Sequence, residues 1–243
     1  MKNVQKLSET EKELMEVISP STSTMPLARP GWPETLTALV LYLIGIVMLA
    51  LWMTQIPDEQ AILRINIGGA GNGLVGLAAL FAAYALRVRD LRAFGFRVIE
   101  RKWLLVGAAL GVVAFGGCFV IEGVYFHFIT ELNNQADFQT AAQGGALSLF
   151  VLLITGAILT PLGEEFVFRG VIANALNRYG AWAGVVGSAA IFGVVHGFNV
   201  ILFDAFMVGI LNGILFRKTG SIWPGVVVHI VYNGLNLLYY STL

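Results

Sequence analysis

From residue 36 onward the chain alternates between long apolar runs and short charged breaks. Nearly uncharged stretches occupy 36–56, 65–86, 103–121, 138–163, 179–203 and 219–243, and a further run, 200–216, is interrupted only by Asp204. A helix rising about 1.5 Å per residue needs roughly twenty residues to cross a hydrocarbon core of about 30 Å. Taking 197–199 as a hairpin turn, the pattern predicts an all-α, polytopic transmembrane bundle of about seven spans. Glycines one turn apart, at Gly107 and Gly111, Gly193 and Gly197, and Gly209 and Gly213, would let helix backbones approach closely. No repeat of fixed period is visible.

Composition supports the same class. Hydrophobic residues make up 57% of the chain and charged residues 12%, where a soluble domain carries about 25% charged. Fifteen basic residues balance fifteen acidic ones, so there is no basic face for nucleic acid, which is excluded as a partner. One cysteine, Cys118, allows neither an internal disulfide framework nor a thiolate zinc site. Residues 1–33 are polar and contain no apolar signal core. Within them Leu7, Leu14, Val17 and Ile18 stand at near-helical spacing, so the tail reads either as a short surface helix or as a disordered segment. Residues 34–243 form the membrane domain, which makes the chain a multi-pass integral protein, expected in the cell membrane with lipid as its surroundings.

Orientation follows from the basic residues. The 87–102 loop holds Arg87, Arg89, Arg92, Arg97, Arg101 and Lys102, whereas 126–145 holds Glu131 and Asp137 and neither Lys nor Arg. The first loop is therefore expected in the cytoplasm, together with the N-terminus, Arg178, Arg217 and Lys218. Only Arg64 goes against this pattern, and an odd span count leaves the C-terminus outside.

Ionisable side chains at membrane depth are costly and normally have a reason to be there. Three places stand out. In T-P-L-G-E-E-F-V-F-R-G, Glu165 and Arg169 are four apart and share a helix face, while Glu164 points about 100° away and stays free. In F-G-V-V-H-G, His196 lies one turn beyond Phe192. In H-I-V-Y-N, His229 and Asn233 lie one turn apart. Counted from the cytoplasmic turns, Glu164 and His196 each lie about 21 Å up their helices, His229 about 18 Å and Asn233 about 24 Å. One Glu, two His and one Asn thus fall on a common level, and Pro161 invites a kink or opening beside them.

These residues carry a resemblance. E-E-F-V-F-R is similar to the E-E-x-x-x-R motif, F-G-V-V-H to F-x-x-x-H and H-I-V-Y-N to H-x-x-x-N of the CPBP family, the CAAX prenyl protease and bacteriocin-processing (Abi) intramembrane endopeptidases. The resemblance covers about 159–236, with the catalytic part expected at about 145–240. By motif position it implies that Glu164 is the catalytic glutamate, that Glu165 and Arg169 support it, and that His196, His229 and Asn233 complete the site, with Phe192 alongside.

Chemically, Glu164 can hold and deprotonate a water, His196 can orient that water or protonate the leaving amine, and Asn233 and His229 can donate to the oxyanion. The expected substrate is a membrane-associated peptide or prenylated protein, reached from the cytoplasmic side. The favoured mechanism needs no cofactor. Its alternative is zinc on Glu164, His196 and His229, a ligand set that zinc accepts with water in the fourth position. Two other classes compete: a non-catalytic scaffold or bacteriocin-immunity protein, and a proton-coupled transporter using the buried Glu and His.

Of the remaining polar residues, Asp204 reads as a site-lining carboxylate or a helix cap, Glu122 and His127 as interfacial, and Asn212 as an interhelical hydrogen bonder. Trp223, Tyr239 and Tyr240 suit aromatic belts. The orientation is testable in a Cys118→Ser background. A single cysteine placed in 87–102 should react with membrane-impermeant maleimide only after the cytoplasmic side is opened; labelling of intact cells there would reverse the topology.

Overall fold

The computed structural model describes residues 29–130, 133 and 135–243. The segment 7–18, considered above as a surface helix, lies outside them, as does Glu131. The described residues form helices and no strand, as the apolar runs predict. We label them α1 (Trp32–Met53), α2 (Ala61–Leu86), α3 (Arg101–Phe128), α4 (Ala136–Gln143), α5 (Ala146–Tyr179), α6 (Ala183–Val194), α7 (Val200–Thr219) and α8 (Trp223–Tyr240).

Among the described residues five helices, α1, α2 with its leading turn from Asp58, α3, α5 and α7, are long and apolar enough to cross a membrane, against the seven spans expected. The difference lies at two places. The 179–203 run is not one helix: α6 is short, about 18 Å at 1.5 Å per residue, and is bounded by Gly180 and Gly197, both at positive φ (113° and 85°). Gly197 is thus a turn glycine rather than half of a packing pair. In α8, His229, Asn233 and Asn236 dilute the apolar character of eighteen residues.

The basic residues collect at one end of the bundle. Arg87 grips the Glu34 carboxylate through Nε and Nη2, both at 2.8 Å, and Arg178 donates to the Pro30 carbonyl. The start of α1 therefore sits beside the basic loop, which is itself docked: Ile222 N–H donates to Gly95 O, Ser221 Oγ to Arg97 O, and Asn174 Nδ2 to Ala93 O. At this end Trp32 Nε1 also donates to Tyr179 Oη, with both rings about half exposed, as an interfacial aromatic pair would be. Trp223 and Tyr240, expected in such belts, instead pack inward, Trp223 on Phe96 and Phe166 and Tyr240 in the cluster around Leu152 and Leu237. At the far end Arg64, the exception to the charge rule, is neutralised by Asp58 and Asp137, each at 2.8 Å.

Helix contacts are set by glycine. A Cβ on Gly76 of α2 would lie 2.4 Å from the Gly163 backbone of α5, and one on Gly163 would lie 2.4 Å from Gly73 O. Gly107 and Gly111 seat α3 on α8, while Gly193, Gly209 and Gly213 join α6 to α7, as the small-residue spacing predicts for those two contacts. Helix α5 is irregular around its proline. The turns at Leu153–Leu159 and Phe166–Ala173 are wide, with i to i+5 hydrogen bonding, the form a helix takes where its ordinary ladder is interrupted.

The α2–α5 contact makes a clear demand. Gly163→Ala should lower the melting temperature of the detergent-solubilised protein, since overpacking costs roughly 1–3 kcal/mol. Gly116→Ala, whose added Cβ meets nothing within 4 Å, should leave it unchanged or raise it slightly; the check is the difference between the two variants in one thermal-shift series.

Candidate active site

Glu164 and Glu165 end the short regular turn between the two wide stretches of α5, and both are buried, at 1% and 0% exposure. They face different partners, as the helix geometry predicts. Glu165 Oε1 lies 3.0 Å from Arg169 Nη1, accepts from Asn212 Nδ2 at 2.8 Å, and lies 3.0 Å from His229 Nδ1. Arg169 is fully buried with its guanidinium 4.6 Å over the Phe192 ring. Phe192 in turn sets its ring edge-on to His196 and to His229, with centroids at 4.7 and 5.7 Å. The phenylalanine thus packs against the guanidinium and against both imidazole rings.

Glu164 is turned the other way, into the cavity. Its Oε1 accepts from Asn72 Nδ2 at 2.7 Å; the single hydroxyl hydrogen of Tyr42 goes to Asn72 Oδ1 at 2.7 Å, and Tyr42 Oη lies 3.4 Å from Oε1. Two imidazole nitrogens approach the same carboxylate. His196 Nε2 stands 3.7 Å from Oε1 and His229 Nε2 3.6 Å from Oε2. The hydrogen bonds behind the rings assign the tautomers. His196 Nδ1 faces the Phe192 carbonyl at 2.7 Å and His229 Nδ1 the Glu165 carboxylate, and both of those oxygens only accept, so each Nδ1 carries the proton. In the neutral rings the Nε2 lone pairs are therefore both directed toward Glu164. The depth arithmetic for Glu164, His196 and His229 thus ends in contact.

Asn233 stands apart from these three. It lines the same cavity, but its Nδ2 donates at 2.9 Å to Gly156 O, a carbonyl of the first wide stretch of α5. One amide hydrogen is engaged there and the second remains for a ligand. Tyr42, Asn72 and Asn212 complete the arrangement. Sequence reasoning named only Asn212, as an interhelical bonder, and passed over the other two. The available signals were a tyrosine in the middle of an apolar run, away from any interface, and an asparagine among the glycines of α2.

The cavity has a volume of about 1010 Å³ and reaches from Glu164 past Ile46 and Gly68 to Ile56, Asp58 and Arg64. Its far end lies at the α1–α2 connection, the end opposite the basic loop. Among the described residues no group of three or more His, Cys, Asp and Glu side chains is arranged to hold a metal ion, and Glu164, His196 and His229 do not form such a group.

Comparison with known proteins agrees with the motifs. Residues 146–235 match the family model described as type II CAAX prenyl endopeptidase Rce1-like, which contains every motif residue named above. The chain is 27% identical over 204 residues to an "Uncharacterized 24.3 kDa protein" of Escherichia coli, covering 77% of this chain and 89% of that one. It is 24% identical over 135 residues to "Putative membrane peptidase YdiL" of Bacillus subtilis, covering 54% of this chain and 52% of that one. No solved structure matches.

The two glutamates should separate by experiment. Glu165→Gln leaves the Arg169 cation buried without its anion, a loss of roughly 3–5 kcal/mol for a broken buried pair. Glu164→Gln, at a carboxylate whose hydrogen-bonding partner is the neutral Asn72, should cost far less. Thermal unfolding in detergent distinguishes them, and equal losses would place both carboxylates in one structural role.

Proposed function

We propose that the protein is an intramembrane endopeptidase that hydrolyses a peptide bond of a membrane-associated or prenylated substrate, with Glu164 as the base that activates water. The observation that carries this reading is the convergence of two imidazole Nε2 atoms on one buried, cavity-facing carboxylate, each ring braced from behind by an acceptor. A water held by Glu164 and His196 gives its proton to the carboxylate as its oxygen attacks the carbonyl carbon. The negative charge that develops on the carbonyl oxygen is met by the free N–H of Asn233 and by His229 when its Nε2 is protonated, in surroundings poor in competing water. The acquired proton then passes to the departing amine nitrogen from Glu164 or through His196, so that the C–N bond breaks and the carboxylate is restored. Glu165 orients His229 through Nδ1 and offsets its charge, as a second carboxylate does behind a catalytic histidine.

Asn72, itself fixed by Tyr42, holds Oε1 from the side opposite the imidazoles, which fixes the carboxylate plane toward the cavity. The reaction as written uses no metal. The substrate class follows from the family to which residues 146–235 are matched and from the apolar residues of the cavity wall. If the basic loop is cytoplasmic, the cavity mouth at Asp58 and Arg64 favours entry of substrate from the outer half of the bilayer, opposite to the cytoplasmic access expected from sequence.

The test is cleavage of farnesylated CAAX peptides and of unmodified membrane peptides by purified protein, with products identified by mass spectrometry. Glu164→Ala and His196→Ala should each lower the rate by about two to four orders of magnitude, and His229→Ala and Asn233→Ala by about two to three, all with the folded protein retained. Activity should survive phenanthroline and EDTA. Activity that disappears on chelation and returns with zinc would replace this mechanism by one with ligated metal; full activity in Glu164→Ala would remove the protease reading and leave the scaffold alternative.

A further inference from the structure

A second carboxylate enters the same cavity. Asp204 is 3% exposed and lies on the cavity wall, and its Oδ1 is buried without a hydrogen-bond partner. It is not the cap of α7, a role filled by Asn199, whose side chain accepts from Ile201 N–H at 2.8 Å. Among the described residues it enters no ion pair. Tyr232 and Tyr240 of α8 line the cavity wall with it, and the groups that interact with it electrostatically, these two tyrosines and Cys118 and Glu122 of α3, are acidic or neutral. Glu122 is itself occupied, accepting from Gln135 Nε2 at 2.8 Å.

The balance of charge around the cavity points the same way. Arg64, the only Lys or Arg in its wall among the described residues, is bound to Asp58 and Asp137 and by its Nη1 to the Ile56 carbonyl. No Lys or Arg of the described cavity wall is thus left for Asp204. An uncompensated carboxylate at membrane depth is expensive unless it takes up a proton or a bound cation answers it. The group that suits one carboxylate with one unmet acceptor, beside tyrosine rings and reached through an apolar cavity, is an ammonium or guanidinium on a long apolar stem.

We propose that Asp204 forms a substrate subsite that selects a Lys or Arg side chain near the scissile bond. This rests on reading the cavity as the peptide-binding site. Glu164 and Asp204 line one continuous space, so a peptide whose carbonyl lies at Glu164 can send an extended basic side chain along the wall between α7 and α8. A neutral side chain of equal length would leave the carboxylate unanswered and bind less well.

The experiment separates this subsite from the proteolytic reading. Binding is measured to folded Glu164→Gln protein in dodecyl maltoside, using two N-acetylated, C-amidated Leu/Ala peptides that differ only in a central Lys or Gln. The Lys peptide should bind at least about ten-fold more tightly, the effect of one charge-assisted hydrogen bond. Adding Asp204→Asn should bring the two peptides to within about three-fold, and Asp204→Glu should recover part of the difference. Equal binding of the two peptides, or a preference that persists in Asp204→Asn, overturns the subsite. The same peptides offered to protein with Glu164 intact report on cleavage. Preference without cleavage leaves the subsite standing and removes the protease; cleavage without a preference dependent on Asp204 does the reverse.

Discussion

The structure depends on keeping one ion pair dry. Glu165 and Arg169 are both fully buried, and removing two charges from water costs several kcal/mol each unless geometry and further hydrogen bonds return most of it. Here the return comes from three helices at once. Arg169 is on the same helix, Asn212 is supplied by α7 and His229 by α8, and all three address the same carboxylate oxygen. Engaging Glu165 Oε1 therefore draws α5, α7 and α8 together, and His229 comes beside Glu164 as a consequence. A charged group that would weaken an isolated apolar helix becomes the point around which the bundle is assembled.

That assembly works only because backbones can come close. The α2–α5 crossing at Gly73, Gly76 and Gly163 brings Asn72 within hydrogen-bonding distance of Glu164, and a single methyl on either face would push the two apart. In lipid no hydrophobic effect drives helices together, so close van der Waals contact and polar bonds across the seam must do so. The wide turns of α5 belong to the same arrangement. Disturbing the regular ladder leaves carbonyls in need of donors, and Asn233 reaches the one at Gly156. The features that weaken α5 as a helix thus become its attachments to α2 and α8.

The two glutamates, adjacent in the chain, have opposite surroundings. Glu165 is enclosed by charge and amide partners on the protein side. Glu164 is held on one flank by the Asn72 amide, itself fixed by Tyr42, and left to face both imidazoles and the cavity on the other. Division of labour between neighbouring carboxylates is set by environment rather than by residue type, and the helix, turning about 100° between them, supplies it.

Much of this was legible from the residues alone. Length and apolarity determine helices that must satisfy their own backbones in lipid, and four-residue spacing determines that Glu165 meets Arg169. Similar distances from the basic turns determine that Glu164, His196 and His229 lie near a common level, because helical rise is nearly constant. What sequence could not determine is rotation and partnership. The contacts of Tyr42 and Asn72 with Glu164 depend on which faces of α1 and α2 turn inward, and two almost wholly apolar helices carry too weak a polar stripe to reveal it. The inward packing of Trp223 and Tyr240 likewise follows from neighbours distant in the chain. So does the direction of the cavity, which is a space left between helices. One-dimensional periodicity determines height along a helix; only the packing of all the helices decides what stands across from each side chain.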